Sequence, residues 1–368
     1  MGPAWMGHRL PPVWRAVTPI RARVLRRMYG ALDRVEAHLS PQAAGCRMVD
    51  GLYVRANGRL PCWCGPGEAQ VHGRVSDGPL LTRPGIERVR AAFSAGQLPA
   101  PALCGGCQAR RSLPRHRLSG PPRVLDELHL EPSFLCPLGC AMCPADNQTR
   151  RAEAEPPYHL TLGTLDTVLS RLRAEGVRHV RQVRLEGKGE PLLNPDLEAI
   201  IGRIREAFPA TRIVLTTSGS VPQRPSLATS GLDLLTVSAD GFWQDSYARY
   251  RVRGRIAQVR QFITALRLAT LRSRSTLQVV WKYLLFEWND SPEELAAAWT
   301  FCQQQGVAFE LRFTHSEGGT QRWTPALLEE HAARFLPGTT VKATFARQQA
   351  DARAQADGAA LRRLGIGG

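Results

Sequence analysis

Lysine is nearly absent from this chain: of 48 basic residues only Lys188, Lys282 and Lys342 are lysines, so the other 45 are arginines. Long apolar runs are missing as well, and none could cross a bilayer as a helix. The basic stretch from Met1 to Arg27 lacks the uninterrupted apolar segment of a secretory signal, so the expected location is the cytoplasm. In that setting the nine cysteines among 368 residues are reduced thiols or metal ligands rather than a disulfide framework. Acidic residues are also short, 32 against 48 basic ones, for a net charge of +16. Nineteen arginines against six acids lie before Val124, so +13 of the +16 sits in the first third. That asymmetry suits an acidic partner or a leader-type peptide substrate. A solvated basic surface is the simpler reading, because charge alone names no partner.

What is present suggests four zones. Residues 1–42 form a basic extension, expected to be helical from Val17 to His38. Residues 43–118 hold five of the nine cysteines among Gly and Pro, and little regular core is expected there. Leu113 to Arg123, rich in Pro and Arg, reads as a linker. Residues 124–314 alternate strands with helices, and residues 315–368 read as a helical tail. The strands are expected at Val124–Leu130, Val183–Glu186, Ile213–Thr217, Leu234–Ser238, Leu277–Phe286 and Phe309–Phe313. Asn194-Pro195 opens a helix with Leu197, Ile200, Ile201, Ile204 and Phe208 on one stripe. Ser291-Pro-Glu-Glu294 reads as a capping box, and Gly306 closes that helix. Cys302, one turn on from Trp299 on an apolar face, reads as a core thiol. Six strand–helix units suit an α/β fold, a partial (β/α)6 TIM-like barrel with a small N-terminal Cys-rich module. In such folds chemistry gathers at the C-terminal strand ends.

Just beyond the first of these strands stands Cys136-Pro-Leu-Gly-Cys140-Ala-Met-Cys143. Three thiolates within eight residues can hold one face of a [4Fe–4S] cluster and leave the fourth iron open for a ligand. A zinc site completed by a distant residue is the competing reading. After the second strand comes Gly187-Lys188-Gly189-Glu190-Pro191, where glycines allow close backbone approach or positive φ and a carboxylate suits a cationic amine. Thr216-Thr217-Ser218-Gly219 ends the third strand and Ser238-Ala-Asp240-Gly241 the fourth. Capping or turn roles compete at each. Tyr250-Arg-Val-Arg-Gly254 follows, and Trp281-Lys282-Tyr283 lies on the fifth strand.

This ordered series resembles the radical S-adenosylmethionine (radical SAM) enzymes over roughly Val124 to Phe313. The resemblance implies a cluster at Cys136, Cys140 and Cys143, with Met142 packing near the adenine of S-adenosylmethionine. It implies cofactor contacts at Gly187, Gly189, Glu190, Ser218, Ser238 and Asp240, with Glu190 meeting the methionine ammonium. Lys282 is a candidate for the methionine carboxylate, or a structural ion pair. The chain departs from the family pattern by having Lys188 where Gly is common and Ser218 where Asn is common.

Upstream, Cys46, Cys62, Cys104 and Cys107 resemble a shortened SPASM/twitch-type module that holds an auxiliary [4Fe–4S] cluster, with Cys64 left as a spare thiol. In the family that module usually follows the barrel, whereas here it precedes it, and structural zinc is the alternative. The implied activity is reductive cleavage of S-adenosylmethionine to a 5′-deoxyadenosyl radical that abstracts hydrogen from a peptide or a sugar or cyclitol. An oxidoreductase or maturase acting in a biosynthetic pathway follows, with flavodoxin or ferredoxin as electron donor and no membrane partner. Two other readings are an RNA-modifying member of the same superfamily and a zinc-stabilised nucleic-acid-binding protein. Both rest on charge, and the second leaves the strand-end motifs unexplained. No catalytic acid, base or hydrogen donor is marked by the sequence.

Overall fold

Six of the strands stand where apolar and β-branched runs predict them. The computed structural model describes residues 40–62, 71–107, 109–141, 143, 156–314 and 317–342, together with Val24 and Met28. The expected N-terminal helix (Val24 and Met28 apart, which are helical), Cys64, Met142 and the tail beyond residue 342 lie outside them. The fold is α/β, with an eight-stranded sheet in the order Thr340–Lys342, Ala308–Phe313, Gln278–Leu285, Leu234–Ser238, Arg212–Thr217, His179–Leu185, Val124–Leu130 and Gly51–Val54, parallel at each registered pair. The six expected strands are its interior, and two short strands flank them. By contacts the chain divides into two compact units: Met1–Pro132 with Pro156–Leu185 and Asp196–Ile213, and Ser133–Glu155 with Glu186–Pro195 and Val214–Gly368.

The first unit begins with β1 (Gln42–Cys46), α1 (Arg47–Asp50), β2 (Gly51–Val54), β3 (Arg59–Pro61) and β4 (Val71–Arg74). Next come α2 (Pro84–Ser94), α3 (Pro101–Cys104) and β5 (Arg110–Pro114). Here the structure corrects the sequence reading, because this cysteine-rich stretch has a core of its own. Ile86, Val89 and Phe93, spaced along α2, pack with Met48, Val49, Leu113 and Leu118. Leu113 and Leu118 lie in the stretch read as a linker, which carries the end of β5 and a 3-10 turn, Arg115–Leu118. β1 pairs antiparallel with β5, and a Cβ on Gly45 would fall 2.2 Å from Leu113 Cδ2, so a larger residue there would displace that side chain. β2 joins the main sheet beside β6 (Val124–Leu130), with Leu52 opposite Leu128.

β6 leads to α4 (Leu162–Ala174), β7 (His179–Leu185) and α5 (Leu197–Ala207). The carboxylate of Glu175, the residue that ends α4, accepts from the backbone N–H groups of Leu80, Leu81 and Thr82 at 2.5, 2.7 and 3.0 Å. Arg171 reaches the carbonyls of Val75, Ser76 and Gly78. One helix end therefore carries the loop between β4 and α2. Of the expected stripe, Leu197, Ile200, Ile201 and Ile204 are fully buried on α5, while Phe208, also buried, is the residue just past the helix end.

The second unit takes most of β8 (Arg212–Thr217), then β9 (Leu234–Ser238), α6 (Gln244–Tyr250), α7 (Ile256–Arg272) and β10 (Gln278–Leu285). It ends with α8 (Pro292–Gln305), β11 (Ala308–Phe313), α9 (Pro325–Phe335) and β12 (Thr340–Lys342). α8 starts as expected, with Ser291 Oγ accepting from Glu294 N–H at 3.2 Å, and Gly306 closes it at φ 62°. The reciprocal half of the capping box is not formed. Glu294 instead accepts from the N–H groups of Phe242 and Trp243 and from Ser246 Oγ–H, tying the β9–α6 loop to α8. Cys302 is a buried core thiol whose pKa burial pushes up. No helix among the described residues is long and apolar enough to cross a membrane.

Candidate functional site

The loop that follows β6 opens the second unit and is pinned by the Gly-Lys-Gly-Glu-Pro segment. Glu190 N–H donates to Leu135 O at 2.7 Å. A Cβ on Gly189 would fall 2.0 Å from Ser133 O and 2.8 Å from the Phe134 carbonyl carbon, so only glycine fits. Gly189 is therefore required for space, since neither it nor Gly187 takes positive φ. Cys136, Cys140 and Cys143 are each half-buried on this loop, and Cys143 N–H donates to Cys140 O at 3.1 Å.

Glu190 is 2 % exposed and fully engaged by the protein. One oxygen accepts from Leu192 N–H at 3.1 Å and Thr217 Oγ–H at 2.6 Å. The other accepts from Ser218 N–H at 2.8 Å and Ser218 Oγ–H at 2.7 Å. A buried carboxylate satisfied in this way welds the second strand end to the third. Ser218 is consumed by the same contact, and its Oγ also accepts from Ser220 N–H at 3.2 Å. Thr216, next to Thr217 on β8 and on the opposite face, donates to Glu186 at 2.7 Å.

Asp240 is likewise buried and engaged. It accepts from Leu284 N–H at 2.8 Å and holds Arg251 through Nε at 2.7 Å and Nη2 at 2.5 Å. The third arm of Arg251, Nη1, donates to Cys140 Sγ at 3.5 Å. Burial pushes the Cys140 thiol up, and the Arg251 charge opposes that shift. The sequence singled out the Tyr250–Gly254 phrase without this role for its arginine. Beside it runs a row of rings: Tyr250 meets Phe286 at 4.8 Å, and Phe286 stacks on Trp288 at 4.6 Å. Arg249 lies over Trp288 at 4.7 Å. Two aromatics two residues apart just past a strand end were the available signal for this shelf.

Ser238 and Lys282 differ from the motif residues already described. They are register neighbours on parallel strands β9 and β10. Ser238 Oγ is buried with no hydrogen-bond partner among the described residues. Burial pushes the Lys282 amine down to about 8, with Asp240 opposing the shift. Glu310, its register neighbour on β11, is already taken by Arg312 and Lys342, the latter at 2.6 Å. An uncommitted hydroxyl and an uncommitted amine side by side can receive an anion such as a carboxylate.

In the first unit, Cys46 at the end of β1 lies within electrostatic reach of Cys62, Cys104 and Cys107. Strand, helix and turn thus bring together the four upstream cysteines that the sequence grouped. Cys107 Sγ accepts from Ala109 N–H at 3.4 Å. Burial pushes the Cys46 thiol up to about 12, so its ionisation needs a cation close by. Among the described residues no three His, Cys, Asp or Glu side chains converge as ligands of one ion. The ligands of an iron–sulfur cube bind separate irons and need not meet around one point. The donor set therefore fits such a group: soft thiols on one loop, with a guanidinium against one sulfur.

Residues 130–290 match the family model described as "Radical SAM superfamily". Among curated proteins, the chain is 29 % identical over 249 residues to a GTP 3′,8-cyclase of Xanthomonas axonopodis pv. citri (strain 306), covering 64 % of this chain and 71 % of that one. A GTP 3′,8-cyclase of Rhodococcus opacus (strain B4) is 29 % identical over 205 residues, covering 52 % and 51 %. Among solved structures, a radical SAM methyltransferase from Sphaerobacter thermophilus aligns at a TM-score of 0.43 and 22 % identity, covering 58 % of this chain and 64 % of that one.

Proposed function

Because residues 130–290 match the radical SAM family model, we propose that this chain cleaves S-adenosylmethionine at a [4Fe–4S] cluster held by Cys136, Cys140 and Cys143. When bound, that pair supplies a one-electron cleavage yielding methionine and a radical that takes hydrogen from the substrate. The observation that carries the reading is the uncommitted Ser238–Lys282 corner, beside motif carboxylates already spent on the fold. Lys282 and Ser238 receive the methionine carboxylate. Glu190 and Asp240 act by fixing strand ends, and the ring row at Tyr250, Phe286 and Trp288 offers an apolar wall for the adenosyl group. Gly187, Gly189 and Ser218 shape the backbone beside it.

The upstream cysteines Cys46, Cys62, Cys104 and Cys107 hold an auxiliary [4Fe–4S] cluster, which suits a net oxidation of a peptide or of a sugar or cyclitol. A second reading takes a purine nucleotide as substrate. The similarity to proteins named GTP 3′,8-cyclase favours it.

Anaerobic reconstitution tests the proposal through iron and sulfide content. The wild type should hold about eight irons, and the variant with Cys136, Cys140 and Cys143 all changed to Ala about four. About four falling to none, with zinc present, keeps the radical enzyme and makes the upstream site structural. No iron in either protein overturns the reading. Reduced holoenzyme given S-adenosylmethionine with GTP, or with an acidic-leader peptide, then separates the two substrate classes by which one is consumed.

A further inference from the structure

Arg251 is built into the second unit more rigidly than an ordinary surface arginine. Its side chain is 12 % exposed and its three nitrogens are divided between two partners: Nε and Nη2 on Asp240, Nη1 on Cys140 Sγ. The backbone on either side of it is tied to the cluster loop. Ala141 N–H donates to Tyr250 O and Gly139 N–H to Val252 O, both at 3.0 Å. These contacts bracket Cys140 with the residues that bracket Arg251. The turn is closed by Gly254, whose N–H donates to Arg251 O at 2.8 Å. A Cβ on Gly254 would meet the Tyr247 ring at 2.7 Å. Asp240 is itself anchored by Leu284 N–H and is wholly buried. None of this is needed to hold three cysteines on a loop. It places one charged N–H against one sulfur and prevents it from moving away.

We propose that Arg251, oriented by Asp240, is a positioning residue that sets the reduction potential of the iron–sulfur centre through the Cys140 sulfur. The inference rests on the reading of Cys136, Cys140 and Cys143 as the cluster ligands. Reduction adds negative charge to the cluster and its thiolates, so a cation donating to a ligand sulfur favours the reduced state. Asp240 moderates the effect and holds the fork in place. Arginine is needed because its planar fork can present donors to a carboxylate and a sulfur at once, which a lysine ammonium on a flexible stem cannot hold in fixed geometry.

The test is an anaerobic, EPR-monitored redox titration of reconstituted protein without S-adenosylmethionine, on wild type, Arg251→Met, Arg251→Lys and Asp240→Asn. Arg251→Met should shift the midpoint to a more negative potential at unchanged iron content, with Arg251→Lys between it and the wild type. Asp240→Asn should shift it the opposite way, because the guanidinium then acts without its counter-charge. Wild-type potentials in all variants that hold iron would overturn the proposal. If Arg251→Met fails to assemble a cluster, Asp240→Asn decides: a wild-type midpoint there makes Arg251 a structural staple and overturns the idea. A wild type that takes up no iron overturns the underlying ligand assignment, and this proposal with it.

Discussion

Lys282 stands half-buried on β10 with no carboxylate in ion-pair contact among the described residues, a costly place for an ammonium. Its pKa, ordinarily 10.5, is pushed down to about 8 by burial. Below about pH 8 the amine is charged and can hold an anion; above it the amine is neutral and the attraction is lost. Affinity for S-adenosylmethionine should therefore fall as pH rises from 7 to 9, and Lys282→Met should remove that dependence. A lost charge-assisted hydrogen bond is worth about 1.5–3 kcal/mol, or roughly a 10- to 100-fold weaker Kd by calorimetry. The stability effect runs the other way. Between about pH 8 and 10.5 the unfolded chain binds the proton that the folded one releases, so this group's contribution to stability rises with pH there. Lys282→Met should accordingly melt no lower than wild type at pH 7. A lower Tm with unchanged affinity would make Lys282 a structural residue. Gly189→Ala tests the opposite kind of site, where room rather than charge is decisive. Its Cβ would overlap Ser133 O, so the cluster loop has to move. Reconstituted iron should fall by about half while the far-UV spectrum is retained.

Whole elements stand or fall on long-range partners that a local pattern does not show. Glu175 ends α4, yet its carboxylate serves residues 80–82, more than ninety positions earlier. Glu175→Ala leaves three backbone donors without that acceptor and should cost about 2–3 kcal/mol, read as a lower denaturation midpoint at unchanged m-value. The same contrast explains what could be read in advance. Strand ends, the α5 stripe and the Ser291 cap were legible because each depends on spacing within a dozen residues. β2 was not, because Gly51–Val54 is four residues long and finds its partner about 75 positions on, at Glu127–Leu130. The core around Phe93 was hidden for a related reason: its apolar residues are scattered among Gly, Pro and Cys and converge only in three dimensions. At the site, motif positions were legible, but the spending of Glu190 on Thr217 and Ser218 was not. Which acceptor a buried carboxylate satisfies depends on packing, which no motif specifies.

At the scale of the molecule, the two cysteine groups fall in different units, Cys46, Cys62, Cys104 and Cys107 in the first and the Cys136–Cys143 loop in the second. Metal at one is then expected to load without the other. A variant with the four upstream cysteines changed to Ser should lose about four irons, or its zinc, and keep the EPR signal of the remaining cluster. It should also lose thermal stability in the first unit. Cys46 and Cys62 pack against that unit's core, and metal binding to folded thiols contributes directly to folding. An upstream quadruple variant that melts like wild type and retains its full metal content would mean that these four thiols bind none. The large positive charge would then be the main feature left to explain in the first third, and co-purified RNA released steeply by salt would be the observation to look for.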